Sequence, residues 1–144
     1  MMDKFKKYLF LFWFGGTFYI TLETIWRGYS HWTMGVLAGI VFILIGLLNE
    51  LYTWEIDLLV QVIVGTIVAT LSEFIAGCIL NLWLKWNIWD YSDMWGNVLG
   101  QICPLFIMIW IPITLLAIIL DDVIRWKFFD EEKPKYYIFK KQIY

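Results

Sequence analysis

The sequence predicts an all-α integral membrane protein, a four-helix bundle with four transmembrane helices and both termini cytoplasmic. Three observations predict it. The chain has 144 residues, of which 61% are hydrophobic and only 17% charged, with a mean hydropathy of +0.69. A soluble domain averages about 45–50% apolar and about 25% charged residues, and a water-soluble fold of this length could not hide so much apolar surface. The apolar residues gather in four runs, each near the roughly 20 residues that cross a hydrocarbon core of about 30 Å. The Lys and Arg residues, 11 in all, collect at the ends of the chain.

The first span covers residues 8–26, charge-free from Tyr8 to Leu22. Its basic start and apolar middle imitate a signal peptide, but "YITLETIWRG" carries no small-x-small cleavage pattern, so it reads as a retained span. The second covers 32–50. The loop "NELYTWEID" follows, with Glu50, Glu55 and Asp57 read as solvated charges. The third span covers 58–83 and is broken only by Glu73. The fourth covers 94–120 and is charge-free, with Asp121 and Asp122 ending it in water. Helices rather than strands follow from run length and from the need to satisfy the backbone internally in lipid. Residues 1–126 thus form one transmembrane domain and 127–144 a cytoplasmic tail, broken by Pro134 and expected along the membrane surface.

Orientation follows from charge. Lys4, Lys6 and Lys7 precede the first run, and Arg125, Lys127, Lys133, Lys135, Lys140 and Lys141 follow the last. Four spans put both groups on one side, which the positive-inside rule makes cytoplasmic. Only Arg27 and Lys85 face the other side.

The polar residues inside the spans locate the candidate site. An ionisable group in a span costs about 2.5–3.5 kcal/mol on insertion scales and so faces protein or water. Glu73 lies 15 residues past Leu58, about 22 Å along a helix, in the outer half of the membrane. Gly65, Ala69, Glu73, Gly77 and Asn81 recur at i, i+4, a row of small residues along which a neighbouring helix approaches closely. Glu73 therefore belongs to a packed face, and its expected partner is Arg27 at the outer end of the first span. Glu23 and Arg27 are themselves an i, i+4 pair.

The fourth span adds polar residues at the same height. Ser92 or Asp93 is a candidate N-cap, Gly96 and Gly100 a small-residue helix face, and Asn97 and Gln101 a parallel polar pair. Pro104 and Pro112 would kink that helix. Trp83, Trp86, Trp89 and Trp95 read as an interfacial belt, with Trp89 an optional stacking surface, and His31 as an interfacial hydrogen-bonding residue. The candidate site is accordingly Glu23, Arg27, Glu73, Trp89, Asp90, Tyr91, Asn97 and Gln101.

Other functions find no support. No hydrolase elbow, zinc-protease, phosphate-loop or dinucleotide motif occurs, so no enzyme, cofactor or metal is expected. Cys78 and Cys103 lie inside spans, without a Cys/His cluster. The net charge of −2 offers no basic face to nucleic acid.

The segments "LETIWRG", "SEFIAGCILN" and "WDYSDMWGNVLGQICP" resemble the ABC-transporter type IV membrane family, also called the CmpB type. The matching residues are Glu23, Arg27, Gly28, Glu73, Gly77, Trp89, Asp90, Tyr91, Ser92, Gly96 and Gly100, and the resemblance covers about Gly15 to Leu120. It implies a permease in a bacterial inner membrane, with any ATPase a separate subunit because the chain has no nucleotide-binding motif. The chain departs from the pattern in being short. Short versions also resemble proteins encoded by bacterial viruses, which leaves a holin-like pore as an alternative.

The expectation is a permease-like or channel-like protein with an outer-leaflet polar site, lying in the lipid bilayer as a homo-oligomer. A structural protein whose buried ion pair only packs helices is the other alternative.

Overall fold

A computed structural model describes residues 3–51 and 56–144; Glu55 lies outside them. The order is α1 (Lys4–Arg27), α2 (Trp32–Leu51), α3 (Leu58–Gly77, prolonged by a π-helical stretch Cys78–Trp83), α4 (Pro104–Phe128), β1 (Tyr137–Ile138) and β2 (Lys141–Gln142). The helices form an all-α bundle. α1, α3 with its extension, and α4 are each long and apolar enough to cross a membrane, and α2 is a shorter apolar helix. The start of α1, the end of α2, the start of α3 and the end of α4 with the tail lie at one end, the termini end. The opposite end is the loop end.

Local chemistry sets the helix starts. Asp3 caps α1 by accepting from the Phe5 N–H at 3.4 Å, and Asp57 caps α3 by accepting from the Leu59 N–H at 2.8 Å. α1 ends at Gly28, whose φ of 83° returns its N–H to the Thr24 carbonyl.

Packing inverts the pattern of a soluble bundle. On α3 the row Gly65, Ala69, Glu73, Gly77 and Asn81 is buried. The row Ile63, Ile67, Leu71 and Ile75 is 53–59% exposed. In lipid no hydrophobic gain separates the two faces, so small and polar residues take the helix contact. A Cβ on Gly65 would fall 2.5 Å from Thr114 Cγ2 of α4, and one on Gly16 of α1 2.6 Å from the Gly35 carbonyl of α2. Val41, Ile45, Leu58, Val62, Ala69, Trp110 and Ile118 form the main core with Tyr136.

Residues 94–103 are not helical, which corrects the expected fourth span. They form turns in which Gly96, Leu99 and Gly100 take φ of 68°, 53° and 71°, so Gly96 and Gly100 are turn residues rather than a helix face. Pro104 is the reason. It holds Cys103 extended, at φ −151° and ψ 158°, and opens α4 in the first turn, where a missing N–H costs nothing. Pro104 therefore starts the helix instead of kinking it, Cys103 replaces Ser92 or Asp93 as N-cap, and Pro112 lies inside α4.

The late start of α4 carries Asp121, Asp122 and Arg125 into the helix. The aspartates are 0% and 2% exposed and Arg125 4%, which corrects the reading of Asp121 and Asp122 as solvated ends. Buried charges must pair. Arg125 Nε donates to Asp121 Oδ2 at 2.7 Å and Nη1 to Glu50 Oε1 at 2.5 Å. Lys7 adds bonds to Glu50, at 3.4 Å, and to Glu131. Glu50 is thus paired, not a free loop charge.

The tail is a hairpin folded onto the bundle. β1 and β2 pair Tyr137 with Gln142 and Ile138 with Lys141. The buried Tyr136 hydroxyl donates to Asp122 Oδ2 at 2.9 Å. The Phe139 N–H donates to Asp57 Oδ2 at 2.6 Å, so Asp57, expected in solvent, caps α3 and anchors the tail.

Candidate binding site at the loop end

Glu73 is 3% exposed. Its Oε2 accepts from Trp110 Nε1 of α4 at 2.9 Å, and its Oε1 from the Tyr91 hydroxyl at 3.2 Å. Among the described residues no Lys or Arg lies within ion-pair distance of it. The expected Glu73–Arg27 pair is not formed. Arg27 Nη1 instead lies 3.9 Å from Glu23 Oε2, and Nη2 donates to the Tyr29 hydroxyl at 2.7 Å. The guanidinium also sits over the Tyr29 ring, 4.8 Å from its centre. Arg27 takes these partners because both lie within one turn of its own helix end.

A second carboxylate stands close by. Glu23 Oε2 accepts from the Tyr19 hydroxyl at 2.9 Å and Oε1 from the Ser30 hydroxyl at 2.8 Å. The Tyr19 and Trp110 rings stack at 5.9 Å and 13°. The chain Glu23–Tyr19–Trp110–Glu73–Tyr91 therefore joins two acids through aromatic groups. Tyr91 stacks on Phe106 at 4.5 Å. Burial, then the charge of Glu73, pushes the pKa of the Tyr91 hydroxyl up, so it remains a donor.

The other expected site residues build the loop that carries Tyr91. The Tyr91 N–H donates to the Gly100 carbonyl at 2.7 Å. Asp90 Oδ1 accepts from the Ser92 N–H at 2.9 Å and from its hydroxyl, and these bonds hold the exposed Asp90 carboxyl below its usual range. Asn97 Oδ1 accepts from the Gly100 N–H at 2.9 Å, and its Nδ2 donates to the Ser92 and Met94 carbonyls. Gln101 is buried. Its Oε1 accepts from Asn81 Nδ2 at 2.8 Å, and its carbonyl accepts from Trp89 Nε1 at 3.1 Å. Gly77 seats this corner, since a Cβ there would fall 2.6 Å from Gln101 Oε1. Trp89 is thereby buried, unlike the exposed Trp83, Trp86 and Trp95. His31 pairs through Nδ1 with the Thr33 hydroxyl at 2.7 Å.

The structure thus brings Glu23, Glu73 and Tyr91 together. It leaves Arg27 against Glu23 but away from Glu73, leaves Asp90 outside, and gives Trp89, Asn97 and Gln101 to the loop. Sequence reading missed Tyr19 and Trp110. Each had a signal: Tyr19 precedes Glu23 by one helical turn, and Trp110 is the lone aromatic from Ile107 to Leu120, where an indole N–H in lipid requires an acceptor. Tyr19, Trp110 and Thr114 also line a cavity of about 50 Å³ between α1, α2 and α4, room for a few water-sized groups. The Thr114 hydroxyl is buried there without a partner among the described residues.

Glu73, a buried carboxylate held by neutral donors, lies beside the half-buried Glu23, which also faces Arg27; walled by aromatic rings, this arrangement suits a compact cation, through charge and through the ring faces. Residues 8–139 match the family described as "Putative ABC-transporter type IV". No curated protein sequence and no solved structure matches the chain.

Proposed function

The chain belongs to the ABC-transporter type IV family, and from that premise we propose that it is a small membrane-embedded transport component whose Glu73 site receives a compact cation. The observation that carries this reading is the pairing of Glu73. A carboxylate inside a span costs several kcal/mol unless compensated. Here the compensation is two neutral hydrogen bonds, from Tyr91 and Trp110. A visiting cation gains the full attraction of such a group, because no resident Lys or Arg has to be displaced from it.

The role is binding and passage rather than catalysis, since the two acids are bonded to donors and not arranged around a nucleophile. The nine basic residues that sequence reading places at the termini end support a cytoplasmic position for that end in a bacterial inner membrane. Glu73 then lies in the outer half of the membrane. A bundle of four helices is small for a solute path, which favours several copies acting together. An ATPase subunit, if one drives the process, is a separate chain.

Uptake by proteoliposomes tests the reading. Wild-type protein is expected to pass a small ammonium ion and not its neutral isostere, and Glu73→Gln to lose that uptake. Equal uptake by wild type and Glu73→Gln would contradict it. Timed dye leakage from cells and vesicles, of the kind a holin causes, would favour that alternative instead.

A further inference from the structure

The hairpin at the termini end carries features that neither the bundle's packing nor the Glu73 site explains. Its two-residue turn is Phe139–Lys140, with φ of 49° and 63°. Such turns favour Asn-Gly or Asp-Gly, because left-handed φ is costly for residues with a bulky side chain. Here the turn instead presents Phe139, 79% exposed, followed by exposed Lys140 and Lys141. Strain held at an exposed apolar tip is the kind of backbone cost that function retains.

The position of the tip is fixed. The Phe139 N–H is bonded to Asp57 at 2.6 Å, and Tyr137 bridges to the same residue. Asp57 is the cap of α3, the residue at which that span ends. Tyr136 is locked to Asp122 of α4. The tip is therefore held beside the start of α3, with an aromatic ring and two ammonium groups exposed. The same end carries Lys133 over the Tyr144 ring at 4.7 Å and Lys127 over the Trp126 ring at 3.8 Å, an arrangement of aromatic bodies and cationic heads suited to a headgroup layer.

We propose that the Phe139–Lys141 tip is a docking element for anionic phospholipid, with the Phe139 ring in the acyl boundary and Lys140 and Lys141 on headgroup phosphates. The occupant is argued from charge and place. Asp57, the acid bonded to the tip, already accepts from the Phe139 and Leu59 N–H groups, and among the described residues no ion pair holds Lys140 or Lys141, which leaves the lysine pair to an anion in the membrane plane. This inference is independent of the Glu73 site.

The test is hydrogen exchange on the full chain in nanodiscs of phosphatidylcholine alone and of phosphatidylcholine with phosphatidylglycerol. The reporters are the Phe139 amide, bonded to Asp57 and freed when the tip lifts, and the Tyr136 and Ile143 amides, bonded within the hairpin and freed when it unfolds. One lysine near an anionic surface is worth about a fivefold preference, so the pair predicts about 25-fold slower exchange in the anionic discs. Lys140→Glu with Lys141→Glu should abolish that difference, and Phe139→Ser should reduce it, while amides in the middle of α3 exchange alike in every sample. Equal hairpin exchange in the two lipids for the wild type, or an unchanged difference in the lysine variant, would overturn the proposal. Protection that appears only on adding another protein would also overturn it and assign the tip to a protein partner.

Discussion

At the residue scale, the site depends on donors as much as on acids. Trp110 supplies one of the two bonds to Glu73. Trp110→Phe keeps the ring stack on Tyr19 in outline but strands a buried carboxylate oxygen. A loss of about 1–3 kcal/mol is expected, read as a lower midpoint in detergent unfolding. Gly100 shows a different constraint. Its φ is 71°, and a Cβ there would fall 2.8 Å from Asp90 Oδ1 and 2.7 Å from the Ser92 hydroxyl. Gly100→Ala should cost about 1–2 kcal/mol and loosen Tyr91, whose N–H depends on the Gly100 carbonyl. Asp90 provides a pH signature. Its folded carboxyl is held below the usual range, mainly by the Ser92 hydroxyl. Such a group contributes stability above its unfolded value and loses it as pH falls through the folded value. NMR titration of Asp90 should therefore show a depressed midpoint that moves back up in Ser92→Ala.

At the element scale, α3 was the most legible helix and α4 the least. The row from Gly65 to Asn81 predicts the packed face correctly because in lipid small side chains, not apolar ones, decide which face meets another helix. Gly65→Leu should therefore push α3 from Thr114 and cost about 1–3 kcal/mol. Ile67→Ala, on the exposed row, should change stability by less than about 0.5 kcal/mol. Paired unfolding curves in one detergent check both. The start of α4 was misread because Gly-x-x-x-Gly serves a helix contact and a pair of left-handed turns equally well. Pro104 decides between them, and its effect on Cys103 is visible only once the turn before it is closed. The same error hid the chain Asp121–Arg125–Glu50. Asp121 and Asp122 stand beside the apparent end of an apolar run, and a register displaced by ten residues makes a solvated end of what is a buried pair.

At the scale of the whole molecule, the two ends of the bundle are closed differently. The loop end is folded by neutral hydrogen bonds around Asn97, Gln101 and Trp89, while the termini end is tied by charges on α1, α2, α4 and the tail. Arg125→Met would leave Asp121 buried and uncompensated, a loss of about 3–5 kcal/mol. Adding Asp121→Asn should recover part of it, because the remaining group is then neutral; a double-mutant cycle measures the coupling. The Glu73 site, at the other end, should keep its ligand preference in these variants.

The most direct test of the account is a thermal-shift titration with a small quaternary ammonium ion and its neutral isostere, on the wild type, Glu23→Gln and Glu73→Gln. A ligand at about 100 times its dissociation constant stabilises by about 2.7 kcal/mol. The account predicts that the cation alone raises the wild-type midpoint, that Glu23→Gln weakens the response, and that Glu73→Gln removes it whatever its own unliganded midpoint. A cation response that survives in Glu73→Gln, or that is absent from the wild type, would contradict it.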